Sequence, residues 1–153
     1  MDTSKLKWGE MFAAVGGLVL GVSIFIQKTY EARPENVHAQ IAGLKGTVSI
    51  WQVHDIMRWL LLAAAGAPLI LSWIIMRGHA LSWPRGEMTA VVAVAALGLI
   101  GYVAFVDKPG TVTSLVSLRL GVFVSFLGAL LMLFGSALRA SSVERPRKPP
   151  GVI

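Results

Sequence analysis

At 153 residues, with 55% hydrophobic and 14% charged side chains and a mean hydropathy of +0.68, the chain is too apolar for an ordinary soluble domain. It has no cysteine, which excludes thiolate catalysis, disulfide exchange and cysteine-ligated metal. Its net charge of +6 is spread beside apolar stretches rather than gathered in one patch, which points to membrane topology and lipid contact and away from nucleic acid.

The apolar residues fall in four blocks. They predict an all-α polytopic membrane protein, a four-transmembrane-helix bundle with spans at about 8–26, 56–76, 88–106 and 118–138. One long extracellular loop and a disordered basic cytoplasmic tail over 141–153 complete the expected layout.

The first block follows Lys5 and Lys7 and ends in Ile26-Gln27-Lys28 with no small-x-small cleavage site, so it reads as a retained helix and not a signal peptide. Glu10, Ala14, Gly17 and Gly21 share one face, and Gly17-Leu-Val-Leu-Gly21 is a GxxxG match that lets helix backbones approach in lipid. Glu10 is expected at the inner membrane edge, paired with Arg77, Arg85 or Arg139. In the 27–48 connection, Val37, Ile41 and Leu44 recur at helical spacing and predict a short amphipathic surface helix.

Ser49-Ile-Trp-Gln52 has the form of a capping box, with Val48 and Val53 placed as a hydrophobic staple, so the second helix should start near Ile50. Run on to Met76, it would be roughly 40 Å long against a ~30 Å hydrocarbon core, lifting its first turns into the headgroup region. Pro68 should kink it. The alanine- and glycine-rich third helix, including Gly101, and the fourth, with Gly121, Ser125, Gly128 and Gly135 on one face, are expected to pack inside the bundle. Gly17, Gly21, Gly101, Gly121 and Gly128 form the predicted packing set. The termini and the 77–87 turn hold eight lysines and arginines against six on the opposite side, which places both termini in the cytoplasm.

Polar chemistry concentrates between Trp51 and Trp59. Trp51, Asp55, Arg58 and Leu62 share one helical face. Asp55 and Arg58 form either an i,i+3 ion pair that keeps the helix start soluble or a contact for a lipid headgroup or partner. His54 adds a group that titrates near neutral pH, and Trp51 and Trp59 suit interfacial anchoring. Arg119 falls with Phe123 and Phe126 and is expected to snorkel to outer phosphates. The candidate lipid- or partner-binding set is therefore Trp51, His54, Asp55, Arg58, Trp59 and Arg119. His38, His54 and His79 show no metal-ligand spacing, no catalytic constellation is present, and no cofactor is implied.

Trp51, Asp55, Arg119-Leu120-Gly121 and the Gly-Ala-Leu-Leu run at 128–131 resemble motifs of uncharacterised four-helix membrane proteins widespread in actinobacteria. In those proteins a Pro-Trp-Tyr often ends the first helix, where this chain has Ile26-Gln27-Lys28-Thr29-Tyr30. The resemblance implies a fold and no activity. The expected function is a non-enzymatic membrane scaffold or accessory subunit, binding lipid and associating as a homo-oligomer or in a larger membrane complex. A small oligomeric channel or transporter is the first alternative, and a lipid-modifying enzyme using His54 and Asp55 the second.

Overall fold

The computed structural model describes residues 7–32, 40–44, 46–78, 85–110 and 115–142. In chain order these form α1 (Trp8–Ser23), β1 (Tyr30–Ala32), β2 (Thr47–Val48), α2 (Ile50–Val53) and α3 (Met57–Met76). There follow α4 (Arg85–Gly101), a π-helical turn (Tyr102–Val106), β3 (Val116–Leu118) and α5 (Leu120–Ser142). The molecule is mainly helical, and three helices, Met57–Met76, Gly86–Val106 and Leu120–Ala140, are long and apolar enough to cross a membrane. α1 is apolar but shorter, with 16 residues, or about 24 Å.

The long helices bundle because each lays a stripe of small residues against its neighbours. α1 packs on α5 and α3, and α4 closes the bundle against α5 and α3. The buried centre combines Leu20 and Ile24, Leu61 and Ala65, Ala96 and Ile100, and Ala129 and Met132. α1 and α5 run antiparallel in near backbone contact: a Cβ at Gly16 would lie 2.6 Å from the Gly128 carbonyl oxygen, and one at Gly135 would lie 2.5 Å from the Ala13 nitrogen. The Ser23 and Ser125 hydroxyls bond each other at 2.8 Å inside the same seam. At one end of the seam Glu10 and Arg139, both almost fully buried, form an ion pair. Glu10 also accepts the Lys7 backbone N–H at 2.7 Å, so one carboxylate caps α1 and ties it to α5.

Several expectations need correction. Gly17 does meet α3, at Ala65 and Pro68, and Gly128 meets α1. Gly121 packs on Thr29 of the connection, not on a helix, while Gly21 makes only ordinary contact with Ala65. A Cβ at Gly101 would meet nothing within 4 Å, because the buried face of α4 and the turn after it runs through Ala93, Ala96, Ile100 and Ala104. Gly9, Gly16 and Gly135, outside the predicted set, make backbone approaches as close as those of Gly17 and Gly128.

The 50–76 segment is not one helix. The Ser49–Gln52 box forms and starts α2, with the Gln52 side chain accepting the Ser49 N–H at 3.0 Å, but the chain breaks at His54, which is extended. α3 restarts at Met57. The amphipathic surface helix is also absent among the described residues. Ile41 and Leu44 bridge each other across Ala42 and Gly43, both at positive φ, which makes a tight turn. Val37 and the 141–153 tail beyond Ser142 lie outside the described residues.

The connections build a small sheet over one end of the bundle, in the order β2-β1-β3, all antiparallel. Its strands are only two or three residues long and join the connection after α1 to the segment before α5.

Candidate functional site at the capped rim

Beneath the sheet, the Tyr30 side chain is fully buried. Its hydroxyl donates to the Val103 carbonyl at 3.2 Å. The π-helical turn makes this possible. Asp107 N–H bonds Tyr102 O, five residues back, where an α-helix would have taken Val103 O. The freed carbonyl receives the phenol. With the one phenolic proton so placed, the 3.3 Å contact to His54 Nε2 is a bond donated by the imidazole, which puts a proton on Nε2.

Burial pulls His54 below its ordinary 6.5, and the charge of Asp107 pushes partly back. Burial, helped by Asp107, raises the Tyr30 phenol above its usual range. A histidine held neutral in the folded state contributes stability that is complete above 6.5 and is lost as the pH falls through its lower folded value. The melting temperature of the purified protein should therefore drop on acidification below 6.5, and His54→Gln should flatten that drop. An identical pH profile in the variant would assign the acid response to other groups.

The other predicted residues gather on the α1–α3 side of the rim. Arg58 forms a 3.3 Å ion pair with Asp55 and donates to the Trp51 carbonyl at 3.0 Å. Its guanidinium stands 5.0 Å from the Trp51 ring centre and 6.0 Å from that of Trp59. The two indoles meet edge-on at 5.2 Å, and Phe25 stacks on Trp51 at 4.9 Å. Trp51, Asp55, Arg58 and Trp59 are thus one cluster despite the helix break. Asp55 points outward with its side chain 88% exposed, so the pair by itself adds at most ~1 kcal/mol.

His54 leaves that cluster for Tyr30. Arg119 also departs from expectation. It precedes α5 rather than sitting within it, its N–H bonds Thr29 O, and its guanidinium pairs with Glu31 of β1. Strand pairing of β1 with β3 places those two side chains together. Sequence reasoning did not single out Phe25, Glu31 and Asp107, which reach the rim through partners distant in the chain.

A cleft of about 260 Å³ lies beside the polar cluster, between Val53–Met57 and Asp107. Among the described residues no three His, Asp or Glu side chains converge on a metal position. The arrangement offers hydrogen bonding, cation–π contact and charge, and no nucleophile with an adjacent base. No family model, curated protein or solved structure matches the chain.

Proposed function

We propose that this chain is a four-span protein of the bacterial plasma membrane, related to the small four-helix proteins of actinobacteria it resembles. Both termini are cytoplasmic in this reading, and it works as a non-enzymatic scaffold or accessory subunit that engages lipid or a partner at the capped rim. The observation that carries it is the filled interior. α1 and α5 meet backbone to backbone, the seam hydroxyls satisfy each other, and apart from the paired Glu10 and Arg139 and the bonded His54 the buried residues are apolar or small, so the described bundle is built to hold a shape. α1 counts as the fourth span because it packs along α5 and α3 and continues apolar through Ile26. Reconstituted vesicles should show no proton or potassium flux above empty ones; flux abolished by Glu10→Gln would replace the scaffold with a transporter.

The absence of native cysteine makes topology directly readable. Asp55→Cys should react with an impermeant thiol reagent on intact cells, and Lys7→Cys only after permeabilisation. The opposite pattern would invert the orientation. Reaction of both on one side would remove α1 from the spans.

A further inference from the structure

Between α1 and α3 the bundle surface carries an apolar groove of about 350 Å³. Gly21 and Gly66 make its floor, Val22, Leu62 and Leu69 its walls, and Phe25 closes it towards the rim. Phe25 leads directly into the tryptophan–arginine cluster through its stack on Trp51. Arg58 also sits one turn before Leu62 on α3, so the stripe Arg58, Leu62, Gly66, Leu69 runs from a cation down the length of the groove. The Arg58 Nε is buried and has no acceptor among the described residues, whereas Asp55, three residues earlier, stands in the open.

We infer that this groove holds one acyl chain of a zwitterionic aminophospholipid, with the lipid phosphate on Arg58 and the headgroup ammonium at Asp55. The inference rests on the membrane-spanning reading. A slot lined by glycines and aliphatic side chains and free of charge suits a hydrocarbon chain. The headgroup preference follows from the pair itself. Asp55 largely cancels the field of Arg58, so a singly anionic headgroup gains little, while a phosphate–ammonium dipole meets both charges in the right order. The flanking indoles suit the headgroup level.

Native mass spectrometry of the full chain in mild detergent tests this, with phosphatidylethanolamine or phosphatidylglycerol of identical acyl chains added. One phosphatidylethanolamine per chain should bind about tenfold more tightly than phosphatidylglycerol. Asp55→Asn should erase that preference without changing the melting temperature, because the side chain is exposed. Gly66→Leu should abolish binding of both lipids and keep the fold, since a Cβ there meets nothing within 4 Å. Equal affinity for the two lipids in the parent protein, or a Gly66→Leu variant that binds normally, overturns the inference. So does a dimer that Gly66→Leu dissociates, which would give the groove to a second copy. These results leave the four-span reading standing, which falls only to the cysteine pattern described above.

Discussion

Gly16→Leu and Gly128→Leu should each prevent recovery of a monodisperse protein, with a cost well above the ~1–3 kcal/mol of ordinary overpacking. The reason is that the obstructing atoms are backbone. A Cβ at Gly16 would come within 2.6 Å of both Gly128 O and Met132 N, and one at Gly128 within 2.6 Å of Leu20 N. No rotamer change relieves such a clash, so α1 and α5 must separate and the Ser23–Ser125 bond with them. Even alanine at either position should lower the melting temperature. Gly101→Ala, at a helical position with open space, should be neutral or slightly stabilising through helix propensity, by up to ~1 kcal/mol. Equal melting temperatures for Gly16→Ala and Gly101→Ala would show that the two helices do not touch as described.

The second large effect is expected at the Glu10–Arg139 pair. Arg139→Met should cost about 3–5 kcal/mol, because it leaves a carboxylate buried without its cation. Glu10→Gln alone should also destabilise, since it removes the carboxylate that faces the buried guanidinium. The double substitution should recover most of the loss, because neither charge then remains buried. Thermal or denaturant unfolding of the four proteins gives the coupling directly. Strict additivity of the two single effects would mean that the pair is not an interacting unit in the folded protein.

Much of this architecture was legible in the sequence because lipid-spanning helices are written in long apolar runs. The blocks around Leu61, Ala93 and Ala129 gave three helices close to their observed limits. Glu10 had to find a cation at its own end of the bundle, and Arg139 was among the three expected. The Ser49–Gln52 box was readable because it is local. What was not readable depends on partners far along the chain. Nothing in Val53-His54-Asp55-Ile56 forbids a helix; the break follows His54 turning to a tyrosine twenty-four residues away. Strands of two or three residues are too short to show alternation, so the sheet, and with it the Arg119–Glu31 pair, had no local signature. The glycine seam did have one. Gly9 and Gly16, and Gly128 and Gly135, stand seven apart and mark the α1–α5 contact, while Gly17 of the GxxxG marks the approach of α1 to α3.

The seam between α1 and α5 joins the earliest and the latest of the described helices to leave the ribosome. At about 5–20 residues per second, synthesis from Ser23 to Leu120 takes roughly 5–20 s. Through that interval the glycine face of α1 has no α5 to cover it, Glu10 lacks Arg139, and β1 keeps one edge bare until β3 arrives. In the four-span reading proposed above, nascent α1 would depend on the insertion machinery to shield a charge and an open backbone surface. Arrival of α5 closes the seam, the ion pair and the strand edge together. A chain arrested before Leu120 would present all three openings at once to membrane quality control.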